Sequence, residues 1–158
     1  MAERTTNLLN NLVITRIFDA RRELVWKAWT DPQYARQWWG PKGFTSPSCK
    51  IDFRVGGQYL FCMRSPDGWE GWSGGEYTQI IVPEKIVSLL FYADENGKVE
   101  PADSNDVEVR DVVTFEPFGS GQTKLTFKRS HWDEGEDGGM IEIFDKLAEF
   151  VVGLEKAP

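Results

Sequence analysis

From about Asp137 to Glu155 the chain sets Met140, Ile143, Phe144, Leu147, Val151 and Leu154 three or four residues apart, with charged residues between them. That spacing is one stripe of an amphipathic helix, and a stripe of large apolar side chains has to be covered by another layer of the same protein. The sequence before it supplies such a layer. Six β-like segments follow one another: Cys49–Val55, Gln58–Arg64, Trp72–Ile81, Lys85–Tyr92, Val107–Glu116 and Thr123–Ser130. Gly56-Gly57, Pro66-Asp67-Gly68, Pro83-Glu84, Asn96-Gly97 and Gly119-Ser120-Gly121 separate them with turn chemistry. A further strand is expected at Leu12–Phe18. After Asp19, a candidate acidic cap, Val25, Ala28 and Trp29 recur at helical spacing over Arg21–Thr30. Asp31-Pro32 then pairs an N-cap carboxylate with a proline at the first helical position, opening a short helix that Gly40-Pro41 ends near Trp39. The order predicts one α+β domain over residues 1–158, with its core at about 11–155 and the helices gathered on one face of a curved antiparallel sheet. Ala93 to Asp106, rich in Asp, Glu, Asn, Pro and Gly, is expected to be a mobile connection rather than a domain linker.

Charge and composition remove several functions. Eighteen Lys and Arg against 25 Asp and Glu give a net charge of −7, so neutralising phosphates is not the main source of binding energy, and nucleic acid and anionic membranes are set aside as partners. No apolar run reaches the length of a membrane span, and the polar start MAERTTNLLNN lacks a leader's apolar stretch; a cytoplasmic protein is expected. Cys49 and Cys62 lack metal-site spacing, and His131 is the sole histidine, which leaves little material for zinc sites or histidine-dependent triads. No metal or cofactor is expected. Seven Trp in a chain that is 13% aromatic either fill a core or line a pocket.

The stretches ARRELVWKAWTDPQYARQWWGPKGF, VGGQYLFCMRSPDG and GEYTQIIVPEKIV, with the Trp38-Trp39-Gly40-Pro41 run, the Gly56-Gly57 hairpin and the later Gly71 and Tyr77, resemble the family of homologues of the activator of the heat-shock-protein-90 ATPase. That family lies in the START-related helix-grip (SRPBCC) superfamily, and the likeness runs from about Asn11 to Val152. It implies a seven-stranded sheet wrapped around the C-terminal helix, enclosing an apolar cavity. Superfamily members carry lipids, hormones or polyketides, a few catalyse cyclisation, and some bind a chaperone, so fold alone does not decide function. Many members start the last helix with a Gly-Trp pair; here the residues are Gly138-Gly139-Met140-Ile141.

Strand parity sorts the side chains, because alternate residues share a face. Tyr59, Phe61 and Met63 form the bulkier, more apolar face of their strand, and Ile51, Phe53 and Val55 that of the preceding one. Pairing odd with odd requires a three-residue loop with a glycine bulge at Gly56-Gly57. Cys49 then faces inward and Cys62 outward, so no disulfide joins them. Val113 and Phe115 share a face with Asp111, and Leu125 and Phe127 share one with Arg129. If Phe115 lies opposite Leu125, Asp111 lies opposite Arg129. An ion pair solvated at the sheet end and a ligand-orienting pair are both open readings. Trp38 and Trp39, adjacent on a helix, are expected to point about a hundred degrees apart, with one in the core. Phe44, in a Gly-Pro loop, is either a lid or a surface-pinned ring. His131 is expected at the surface among Asp133, Glu134, Glu136 and Asp137.

The leading expectation is a binding protein for a small hydrophobic or aromatic molecule, in an apolar pocket of a few hundred cubic ångströms between sheet and helix, where Gly74 and Gly75 leave room. Its expected lining is Trp38, Trp39, Phe44, Phe53, Tyr59, Phe61, Met63, Tyr77, Asp111, Val113, Phe115, Phe127, Met140, Phe144 and Leu147. Two alternatives come from other classes. One is a cyclase- or hydrolase-like enzyme using Asp111, Tyr59 or Tyr77 as acid and base; the other is a chaperone-binding module acting through its outer surface. No nucleophile–base constellation argues for catalysis.

Overall fold

The computed structural model describes residues 11–94, 96, 98–101, 108–132 and 139–156. The elements in order are β1 (Asn11–Phe18), α1 (Arg22–Thr30), α2 (Pro32–Trp38), β2 (Cys49–Ile51), β3 (Gln58–Arg64), β4 (Glu70–Ile81), β5 (Lys85–Ala93), β6 (Val99–Pro101), β7 (Arg110–Phe118), β8 (Gln122–Ser130) and α3 (Met140–Lys156). The strands form one antiparallel sheet in the order β1-β8-β7-β5-β4-β3-β2. This seven-strand path, with three helices and a long C-terminal one, is the α+β helix-grip arrangement expected. The additional strand β6 pairs with the far end of β5, setting Phe91 opposite Pro101 and Ala93 opposite Val99. It lies within the Ala93–Asp106 connection.

Local chemistry explains most of the element ends. Asp31 caps α2, its side chain accepting from Gln33 N at 2.9 Å with Pro32 behind it, as the sequence implied. Asp19 does not cap α1: the N-cap is Arg21, without a side-chain bond, and Asp19 instead accepts from Gln122 at 2.6 Å. β2 is shorter than the expected Cys49–Val55 because the chain turns before Gly57, whose N–H donates to Arg54 O at 2.8 Å, with Gly56 at φ +87°. Only a residue without Cβ adopts that φ cheaply. The ladder pairs Cys49 with Phe61 and Ile51 with Tyr59, so odd does meet odd across β2 and β3. The acidic run at 133–138 and the proposed start of the last helix at Asp137 lie outside the described residues.

The core lies where α3 crosses the sheet. Ile143, Phe144, Leu147 and Val151 are fully buried against inward residues such as Phe18, Phe115, Leu125 and Phe127. Val25 and Ala28 of α1 close the same layer. Ion pairs Arg16–Asp145 and Arg21–Glu155 tie β1 and the start of α1 to α3. The Phe144 ring meets Phe127 edge-on at 5.7 Å and Trp29 at the same distance. Replacing a buried phenylalanine removes its transfer energy and leaves a cavity. Phe144→Ala is therefore expected to lower unfolding free energy by about 3–5 kcal/mol in urea titration, and Phe118→Ala, at a ring 45% exposed, by no more than about 0.5 kcal/mol.

Candidate ligand cavity

The register sets a polar row across the inner face of an otherwise apolar sheet. Tyr77 of β4 lies opposite Ser88 of β5, Ser88 opposite Asp111 of β7, and Asp111 opposite Arg129 of β8. Asp111 and Arg129 form a two-pronged pair, Nε to Oδ1 at 2.8 Å and Nη2 to Oδ2 at 3.0 Å. The expected pairing is present, but not as a solvated pair at the sheet end: Asp111 is 4% and Arg129 8% exposed. Arg129 also lies over two rings, its Cζ 5.3 Å from the Phe127 centroid and 4.8 Å from that of Trp132, contacts that suit a desolvated guanidinium. Burial pushes the Asp111 carboxyl above its ordinary range, and Arg129 pulls against that shift.

Above this row is a partly enclosed cavity of about 120 Å³. The sheet contributes Tyr59, Phe61, Met63, Tyr77, Val113 and Phe127, together with Asp111. Trp38, Trp39 and Met140 close the helical side. Trp38 is the core tryptophan, 1% exposed, its indole N–H donating to Ala28 O at 3.0 Å. Trp39 nonetheless faces the same space. Its N–H still donates to Ala35 O at 3.1 Å as in a helix, so the hundred-degree separation holds where the side chains leave the backbone, and the two long side chains span it, their rings meeting edge-on at 5.9 Å.

Five expected residues lie elsewhere. Phe53 and Phe115 belong to a run of edge-on rings, Tyr77–Phe53, Phe53–Trp26 and Trp26–Phe115, that fills one end of the space between layers. Phe144 and Leu147 are packed solid in the core. Phe44 is surface-pinned rather than a lid, because Lys146 Nζ gathers the carbonyls of Gly40 and Phe44 at 3.0 Å each and so fixes the loop outside the cavity. Gly74 and Gly75 do not enlarge the cavity either. A Cβ at Gly75 would come within 2.7 Å of the Tyr59 ring and one at Gly74 within 2.8 Å of Phe91, so neighbouring rings already use that room.

The cavity also includes residues the sequence reading did not name: Trp29, Ile143, Ser73, Ile86, Ser88, Leu90, Tyr92, Arg129 and Trp132. Parity would have found Ile86, Ser88, Leu90 and Tyr92 once Ser88 was set beside Asp111. A surface groove of about 480 Å³ at the ends of β3, β4 and β5 shares Met63, Ser73 and Tyr92 with it. Trp69, 59% exposed, folds its ring back over Gly71 beside that groove.

The tyrosines and thiols are poorly suited to proton transfer or nucleophilic attack. Burial, then the nearby Asp111 charge, pushes Tyr59 well above its ordinary value, with Ser88 and Arg129 pulling the other way. Burial does the same to Tyr77. Both cysteines are free; Cys49 is pushed up to about 12 by burial, against the pull of Arg36. His131 is half-buried rather than at the surface, at φ +53°, with Nδ1 lacking a hydrogen-bond partner among the described residues. No cluster of metal-ligating side chains occurs among the described residues.

The sequence profile of the Activator of Hsp90 ATPase homolog 1-like protein family matches residues 19–151, most of the chain and all of the cavity. The chain belongs to that family. Solved structures show the same fold. Ms6760 from Mycobacterium smegmatis is 25% identical, covering 97% of this chain and 93% of its own, at a TM-score of 0.76. A protein from Arthrobacter aurescens is 27% identical, covering 90% and 86%, at 0.75. An AHSA1-like protein from Aeromonas hydrophila, 20% identical and covering 94% and 98%, superposes at 0.71, a likeness of fold alone. No functionally curated protein matches the chain in sequence. No helix among the described residues of this family member is long and apolar enough to cross a membrane.

Two outcomes follow from the site's geometry. Asp111→Asn leaves a buried guanidinium without its anion and is expected to cost about 3–5 kcal/mol in urea unfolding, whereas the double variant Asp111→Leu/Arg129→Met, which removes both charges, should lose far less. In the native protein at pH 8, Cys49 should react with iodoacetamide roughly a thousandfold more slowly than a free thiol, because the thiolate is the reactive form; denaturant should restore the ordinary rate.

Proposed function

We propose that this family member binds a small hydrophobic or aromatic molecule in the cavity between its sheet and α3. The observation that carries this reading is an aromatic-walled, partly enclosed space above a buried polar row, between the sheet and the helices. Ligand sites commonly combine apolar walls with a few fixed polar groups in this way. The groove that shares Met63, Ser73 and Tyr92 with the cavity provides the approach, with Trp69 at its rim.

An acid–base enzyme is less well supported. Both oxygens of Asp111 are engaged by Arg129, and burial holds the two tyrosines protonated, so the row positions a guest better than it moves a proton. A chaperone partner, raised by the family's name, would act through the outer sheet face. There Val13 lies opposite Lys128 and Ile17 opposite Lys124, so charges interrupt the exposed apolar side chains, and the cavity remains the better-supported site.

The test is thermal denaturation and native mass spectrometry against a library of small apolar and aromatic molecules. A ligand at a hundred times its Kd should stabilise the protein by about 2.7 kcal/mol, a rise in Tm of about 5–10 °C for a domain of this size. Ser73→Phe, which puts a ring where groove and cavity join, should fold normally and lose that rise. A library without a single saturable binder would overturn the proposal.

A further inference from the structure

The volume and the unused donors of the cavity narrow the class of guest, on the reading that the cavity is the binding site. A volume of about 120 Å³ is close to the roughly 150 Å³ of an engineered apolar cavity that takes up benzene. One ring with a small substituent fills such a space, and a lipid chain or a fused polycycle does not. Flat indole faces of Trp29, Trp38 and Trp39 provide the walls.

The polar side is not fully satisfied. Arg129 gives Nε and Nη2 to Asp111, and among the described residues Nη1 has no acceptor. Trp39 Nε1 is likewise buried without a partner among them. A buried donor without an acceptor is rare in folded proteins because it costs its full desolvation, so Trp39 Nε1, on a residue that lines the cavity together with Arg129, marks where a guest's acceptor belongs. The Ser88 hydroxyl lies between Tyr77 and Asp111 in the same row. Charge limits that acceptor. Asp111 already cancels Arg129, and the pair is buried, so a second carboxylate would enter a low-dielectric site beside an existing one, and an ammonium would meet Arg129.

We propose that the cavity is built for an uncharged single-ring aromatic molecule bearing one hydroxyl or carbonyl oxygen, its ring against the tryptophans and its oxygen turned to Trp39 Nε1, Arg129 Nη1 and Ser88.

The experiment titrates the intact protein with p-cresol, toluene and benzoate at pH 7 by calorimetry, following tryptophan fluorescence in parallel, and repeats it with Ser88→Ala and Trp39→Phe. We expect p-cresol to bind about tenfold more tightly than toluene, the increment of one good buried hydrogen bond, and benzoate at least tenfold more weakly than p-cresol. Ser88→Ala, checked for native Tm, should shrink the p-cresol advantage severalfold with toluene affinity little changed, and Trp39→Phe, which removes part of a wall together with a donor, should weaken both ligands and p-cresol severalfold more than toluene. Equal binding of toluene and p-cresol would overturn the inference and leave the binding-protein reading standing, as would tight binding of a larger apolar molecule such as pyrene with none of the single rings taken up. Benzoate binding tightest would overturn the charge argument and with it the proposed class. If no apolar or aromatic molecule binds at all, both readings fall.

Discussion

The buried stripe of α3 has no existence apart from the sheet that grips it. Ile143, Phe144, Leu147 and Val151 are fully buried, and a helix carrying that face into water would lose several large side chains' worth of transfer free energy. Every other element is arranged around that contact. β1 and the start of α1 are tied to α3 through Arg16 and Arg21, Lys146 of α3 holds the loop after α2 by its carbonyls, and the inward residues of β7 and β8 meet the stripe directly.

The same contact creates the unfilled space. A straight helix touches a curved sheet along one line, so the layers part away from it. Rings close one part of the gap, where Tyr77, Phe53, Trp26 and Phe115 meet edge-on. Beside them the sheet presents Ser88, Asp111 and Arg129 instead of apolar bulk, and these border the open cavity. A buried ion pair is rarely the most stable filling for such a place, since apolar residues of equal volume often do as well or better. Its presence on an inner face is therefore more informative about function than another buried leucine.

Most of the fold was legible because the signals were local. Alternation in Gln58–Arg64 predicted which face is inward, Asp31-Pro32 predicted a cap, and the odd-with-odd pairing across Gly56 followed from the pleat alone. The opposition of Asp111 and Arg129 was legible for the same reason, one register being enough to set both. The cavity lining was only partly legible, for reasons seen in particular residues. Phe53, Phe115, Phe144 and Leu147 have the parity or stripe expected of cavity walls, yet whether an inward side chain meets a void or another ring depends on the layer facing it. Trp39 reaches the cavity beside Trp38 because an indole is long enough to span the angle between helical neighbours, and which way such a ring turns is set by the layer it meets. Gly75 carries no side chain, which reads as room, until the Tyr59 ring from the neighbouring strand lies across it.

By itself the sequence determined the order of strands and helices, the face each presents, and the need for a sheet to cover the last helix, because periodicity and turn chemistry act over a few residues. The tertiary structure alone decided that Asp111 and Arg129 are buried, that the open volume is about 120 Å³, and which aromatics border it. Those properties depend on how two curved layers approach each other, and a distance between residues far apart in the chain is not written in any short stretch of it.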